Sequence, residues 1–369
     1  MVMAQENMVY RIGLTLIPGV GDVLGKKLVS LFGSAEAVFK GNRPVFQKMG
    51  RVGRLIANAV GNKEILLRAE KEATFIERYG IRLLYFQDKP YPQRLKHCYD
   101  SPVLLFYKGT ADLNFPRIVA VVGTRSATAY GKSVAREIIG GLVAQQIVVV
   151  SGLAYGIDGC AHRHALDVGL NTVGVLGHGL DRIYPSVHKT MAERMLSQGG
   201  LVTEFLSGSQ PDRENFPRRN RIIAGLSDAI VVVEAAKKGG ALITADIANS
   251  YNRDVFAVPG RVTDPFSEGS NYLIRTNRAA LIQTASDLEY LMGWKRDAVV
   301  PNAVQRKIFQ ELTPDEEKII NLLRERGQAG IDEIMTGAGL ATSCVSAALL
   351  NLEFEGMVRC LPGKVYVML

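Results

Sequence analysis

The sequence predicts an α/β protein built on a doubly wound parallel sheet, with a helical domain before it and a winged-helix-like domain after it. Three observations carry this. Short apolar runs repeatedly end in glycine-rich loops that open helices: 118–122 before GTRSATAYGKS, 147–150 before SGLAYGIDGCAHRHAL, and 173–176 before GHGLDRIYP. Strand, glycine loop and helix in succession are the pattern of parallel βαβ units. The first 79 residues instead carry helical periodicity, and the last 57 read as three helices and an apolar hairpin.

Size and charge fit that division. A chain of 369 residues exceeds one ordinary domain, and a 47% hydrophobic fraction supplies real cores. A net charge of +8 favours acidic partners such as nucleic acid. Four scattered cysteines without a CxxC pair, and a start, MVMAQENMVYRIG, with no cationic and apolar leader pattern, argue against disulfides and secretion. No apolar run has the length of a bilayer span, so a cytoplasmic chain is expected, with no membrane partner.

In chain order, residues 1–79 contain IPGVGDVLGKKLVSLFG, where Gly19 and Gly21 bracket a turn before a helix bearing Lys26 and Lys27. KMGRVGRLIANAV, with Gly50 and Gly53, reads as a weaker echo. The pair is similar to a helix-hairpin-helix or SAM-like module, whose amides can grip a phosphate; a plain helical bundle with glycine caps fits equally. The core is expected over 80–294, where IRLLYF and VLLFYKG supply strands ahead of the βαβ units and 201–203, 229–233 and 255–258 supply more. A polar linker over 295–312 leads to a domain over 313–369. Thr313-Pro314-Asp315-Glu316 is a capping box there, and Pro362-Gly363 turns the hairpin. Its third helix, TSCVSAALLNLEFEG, has no Lys or Arg, which favours a structural or protein-contact role over groove reading.

The chemistry concentrates between 215 and 245, NFPRRNRIIAGLSDAIVVVEAAKKGGALITA. An aromatic, Phe216, stands beside Arg218, Arg219 and Arg221; a buried strand follows; then Lys237, Lys238, Gly239 and Gly240 open a helix. Such a loop offers backbone N–H groups to phosphate. In a doubly wound sheet this loop and GTR, SGLAYG and GHG gather at the strand ends, where ligands sit. Enzyme readings fare worse. SATAYGKS has Gly131, Lys132 and Ser133 of a P-loop but Ser126 replaces its first glycine, and GTRSAT is not GxGxxG. His162 and His164 lie two apart, on different sides of a helix, so no metal is expected. Asp158 and Glu204 lack a partner nucleophile, and Asp158 reads as ordering its loop.

With these residues in view, the region from about 91 to 281 resembles the DNA-processing protein A family (DprA, or Smf). The motifs are AVVGTR (120–125), SGLAYGIDGCAHRHAL (151–166), VLGHGLDRIYP (175–185), TEF (203–205), FPRRNRIIAGLSDAIVVVEA (216–235), GGALITA (239–245) and VFAVPG (255–260). The resemblance implies an extended Rossmann-like core between a SAM-like head and a winged-helix tail. It implies a non-enzymatic, cofactor-free homodimer that binds single-stranded DNA, protects it and loads RecA recombinase onto it during natural transformation. Carried over, Gly123, Thr124, Arg125, Ser151 and Gly152 would hold phosphates. Arg218, Arg219 and Arg221 would form a rim, Asn220 would bridge phosphate and loop, and Phe216 would stack on a base. Lys237, Gly239 and Gly240 join this set as the cationic glycine loop. His178 in GHG, His188 after Tyr-Pro, and TNRAALI (276–282) depart from the usual pattern. The alternative is a nucleotide enzyme, such as a nucleoside-monophosphate phosphoribohydrolase, suggested by Glu234 before Gly239-Gly240. A winged-helix transcription regulator ranks third.

Overall fold

A computed structural model describes residues 2–41, 46, 50–294 and 312–369. The expected linker lies almost wholly outside them. The head comprises α1 (Val2–Leu16), α2 (Asp22–Phe32), α3 (Ala35–Lys40), α4 (Gly50–Val60) and α5 (Lys63–Tyr79). Gly19 adopts φ +78° and Gly21 caps α2, as the first glycine pair predicts. The second pair does not repeat it: Gly53 sits inside α4, a continuous helix, so no second hairpin turn forms there. Lys26 is also withdrawn from solvent, donating to Ser101 Oγ at the junction with the core, and burial pushes its ammonium below the usual range.

The core runs β1 (Arg82–Tyr85), α6 (Gln93–Lys96), β2 (Leu104–Gly109), β3 (Ile118–Val122), α7 (Ala129–Gly141), β4 (Val148–Ser151), α8 (Ile157–Asp167) and β5 (Asn171–Val175). It continues with α9 (Lys189–Ser197), β6 (Gly199–Thr203), α10 (Asn215–Leu226), β7 (Ala229–Val232), α11 (Gly240–Ser250) and β8 (Asp254–Ala257). It closes with α12 (Glu268–Arg275), β9 (Ala280–Leu281) and α13 (Ala285–Leu291). Among the described residues the sheet order is β1-β2-β6-β5-β4-β3-β7-β8-β9. From β6 to β9 the strands are parallel, whereas β2 runs antiparallel to β6 and β1 to β2. The predicted parallel sheet is therefore mixed at one edge. IRLLYF and VLLFYKG are joined without a βαβ-type crossover spanning the sheet, and apolar content carries no record of strand direction.

Each central strand is apolar on both faces because both are covered. Ile118, Ala120 and Val122 pack with Ile222 of α10 and Ala241 of α11, while Val119 and Val121 pack with Val134 of α7 and Ala161 of α8. The chain leaves β3 toward β4, β5 and β6, then returns to β7 on β3's other side. The crevice between the carboxyl ends of β3 and β7 is thus the topological switch point.

The head shares its apolar cluster with the β1–β2 edge, through Tyr85, Leu104 and Phe106. The tail comprises α14 (Pro314–Arg326), β10 (Gln328–Gly330), α15 (Ile331–Ala338), α16 (Thr342–Phe354), β11 (Val358–Leu361) and β12 (Val365–Met368), with sheet order β10-β12-β11. Thr313 and Glu316 form the predicted capping box. Among the described residues no single helix is long and apolar enough to cross a bilayer.

Candidate functional site

A cavity of about 560 Å³ opens at the switch point. Its walls come from the loop after β3 (Gly123, Thr124, Arg125), the first half of α10 (Phe216, Arg219, Asn220) and the start of α11 (Gly239, Gly240, Thr244). Among the described residues four cations line it, Arg125, Arg213, Arg219 and Lys238, against one carboxylate, Asp158. The Arg125 guanidinium lies 5.1 Å from the centre of the Phe216 ring, and Arg219 approaches the same ring at 5.9 Å. The N-terminus of α11, capped by Gly239 with no side-chain acceptor, delivers free amides and its positive end to one wall.

The floor is organised by Arg219. It is 4% exposed and donates to Gly152 O at 2.5 Å and to Val175 O, tying the ends of β4 and β5 together. Burial pulls its guanidinium down to about 10, the Asp158 carboxylate opposing, so it remains a cation at neutral pH. Asp158 accepts from Gly152 N–H at 3.1 Å and orders the loop, as expected from sequence. Burial lifts its carboxyl above the usual range, with Arg219 holding it down.

Several predicted contacts fall elsewhere, for one geometric reason. On α10 successive residues turn by roughly 100°. Phe216, Arg219, Asn220 and Ile223 share the cavity face, and Arg218 and Arg221, three apart, share the face toward the head. Arg221 is buried there against Glu204, Asp22 and Asp100 O, and Arg218 lies 3.7 Å from Glu204 in the cleft beside the head. Neither forms the expected rim, and Arg219 is the floor instead.

Ser151 does not reach the cavity either: fully buried, it donates to Val121 O between strands. Gly152 is covered by Arg219, and a Cβ there would fall inside the guanidinium. Asn220 lines the cavity, its amide donating to Gly240 O at 3.3 Å. Lys237 turns to Glu268 at 3.6 Å, leaving Lys238 to face the cavity. Arg213 and Lys238 were not singled out from sequence as contacts. Lys238 was visible only as part of the 237–240 loop, and Arg213 only as a cation three residues before Phe216.

The near P-loop is closed off by the protein itself. The Glu234 carboxylate accepts from Thr128 N–H at 3.0 Å and from Thr128 Oγ1, at the N-terminus of α7. It also presses on Gly131, where a Cβ would overlap it. An internal carboxylate therefore holds the anion position a phosphate would need. His162 is enclosed with Nδ1 on Thr172 Oγ1, and His178 Nδ1 meets Gly179 O.

A family model described as DNA recombination-mediator protein A matches residues 82–292. The chain belongs to this family. A second model, the DprA winged helix domain, matches residues 309–364. Protein Smf of Synechocystis is 33% identical over 401 residues, covering 99% of both chains. The DNA processing protein DprA of Streptococcus pneumoniae is 44% identical over 202 residues, 54% of this chain and 71% of that protein. The X-ray structure of DprA from S. pneumoniae superposes with a TM-score of 0.63 at 32% identity, over 76% of this chain and 97% of that one. DNA processing protein A of Helicobacter pylori, described for its single-stranded DNA binding mode, gives 0.53 at 27% identity, over 58% and 97%. As a DprA-family chain, this protein is a DNA processing protein with a Rossmann-like core and a winged-helix tail.

Proposed function

We propose that the chain binds single-stranded DNA in the switch-point cavity, shields it, and loads RecA recombinase onto it during DNA uptake. It acts as a cytoplasmic homodimer and catalyses no reaction. The observation that carries the DNA reading is Arg125 standing over Phe216 at a cationic cavity. A single strand presents a phosphate and an unstacked base side by side, which a guanidinium and a ring can take together. A duplex keeps its base faces stacked and offers only the phosphate. The H. pylori relative, described as a single-stranded DNA binder, supports the same reading. The recombination-mediator description of the matching family supports delivery to a recombinase. The nucleotide-cleaving alternative is weakened because Glu234 is committed to the start of α7. Free base released from nucleoside monophosphates at enzymatic rates would restore it.

The test is fluorescence anisotropy of labelled oligo-dT against matched duplex, titrated with salt. Preference for the single strand with a steep salt slope is expected. Phe216→Ala should lower affinity by about 1–3 kcal/mol for the missing stack. Arg125→Glu should weaken binding and flatten the salt slope by about 0.7 or more. Equal affinity for duplex, or an indifferent Phe216→Ala, overturns the site. RecA filament assembly on strands already bound by the protein tests the loading step.

A further inference from the structure

A second basic cavity, of about 820 Å³, adjoins the first and shares Arg125 with it. It lies where α7 and α8 pack side by side, and its cations are Arg125 of the loop after β3, Lys132 and Arg136 of α7, and Arg163 of α8. Lys132 and Arg136 sit four apart on one helix, a spacing at which like charges repel. Among the described residues neither these four nor His164 has an ion-pair partner. The one acid on the wall, Asp167, is paired with Arg194 at 3.0 Å. Tyr155 lines this second cavity, 50% exposed, with the His188 ring 5.7 Å away. An exposed aromatic beside a second ring, in a cavity that also carries unneutralised cations, is what a base and its two phosphates require.

Resting on the single-strand reading above, we propose that the strand leaves the switch-point cavity past Arg125 and continues along the α7–α8 groove. Lys132, Arg136 and Arg163 neutralise its phosphates and Tyr155 stacks on a base. The first cavity is then the anchor, and the groove sets how many nucleotides each protomer covers. Near-P-loop residue Lys132 thereby finds a use: it serves the outside of α7 rather than the helix start that Glu234 occupies.

The experiment compares oligo-dT of about six and about twenty nucleotides on the full chain. The wild type is measured beside Lys132→Glu/Arg136→Glu/Arg163→Glu, its alanine counterpart, and Tyr155→Ala. All four positions are exposed, and circular dichroism checks that each variant folds. Expected is a loss of tenfold or more for the longer oligomer in the triple variants, with less than twofold change for the shorter. The salt slope for the longer oligomer should fall by roughly 0.7 for each phosphate left unneutralised, about two in total. Unchanged affinity and slope for the longer oligomer refute the groove while leaving the first cavity standing. Weakening of the short oligomer to the same extent also refutes it, because the charges would then act at a distance. An effect confined to duplex DNA refutes it as well, by assigning the groove to the other form of nucleic acid. A wild type that fails to bind either oligomer removes the single-strand reading itself.

Discussion

Arg221→Ala separates the two roles open to this side chain, DNA contact or internal tie. In the fold its guanidinium joins Asp22 of the head at 2.9 Å to Glu204 and Asp100 O of the core. The Glu204 side chain is only 6% exposed, so truncating Arg221 leaves a buried carboxylate whose one remaining cation among the described residues is Arg218, at 3.7 Å and mostly in water. Breaking a buried pair on one side costs about 3–5 kcal/mol, and the remaining help from Arg218 sets the expectation near 3. For a cooperative unit of 150–250 residues, each kcal/mol lowers Tm by about 2–4 °C, so a fall of roughly 6–12 °C is expected. The assay is thermal unfolding followed by circular dichroism, beside oligo-dT binding measured well below Tm. Affinity should change less than twofold. Arg221→Met/Glu204→Leu should recover most of the stability, since both charges then leave the interior together. A Tm within about 2 °C of wild type combined with a tenfold loss of affinity would refute this reasoning and return Arg221 to the binding surface.

Three further outcomes are expected. Gly152→Ala should lower stability by about 1–3 kcal/mol and weaken oligo-dT binding, because the new methyl displaces Arg219 from the floor; a fully stable variant with normal affinity contradicts the packing described. Lys238→Ala should reduce the salt slope of binding by about 0.7 and Lys237→Ala should not, which equal slopes would disprove. Burial, aided by nearby His188 and Arg219, pushes the His162 imidazole down to about 3. A base depressed in the fold contributes stability that is complete above its unfolded value near 6.5 and is lost as pH falls toward 3. The unfolded chain takes up the proton first, costing about 1.4 kcal/mol per pH unit, or about 2 at pH 5. Urea midpoints at pH 7.5 and 5 should converge in His162→Gln, and an undiminished pH dependence there would show the histidine is not the cause.

Much of this arrangement was legible beforehand. Apolar runs such as 118–122 and 229–232 are short and rich in β-branched residues, which reads as strands covered on both faces, and each leads into a glycine-containing loop. That combination fixes a doubly wound sheet and places GTR and the Lys-Lys-Gly-Gly loop at its carboxyl ends, so the gathering of Gly123, Arg125, Phe216 and Gly240 around one cavity followed from local pattern. The direction of β1 and β2 did not follow, because the same apolar residues serve either orientation.

The sequence by itself therefore determined which segments are strands and helices, where anion-seeking loops converge, and the family to which the chain belongs. Only the tertiary structure decided which cations face outward. Arg218, Arg219 and Arg221 form one cluster in sequence, yet three residues cover almost a full helical turn. One becomes the floor of the cavity, one an exposed neighbour of Glu204, and one a buried tie to the head. Lys237 and Lys238 part in the same way, and Glu234, the strand-end acid before Gly239-Gly240, turns to accept from Thr128 at the start of α7. Composition records that a charge is present. Whether it meets solvent or a buried carboxylate depends on what other elements bring to that face, and those partners lie up to 199 residues away in the chain.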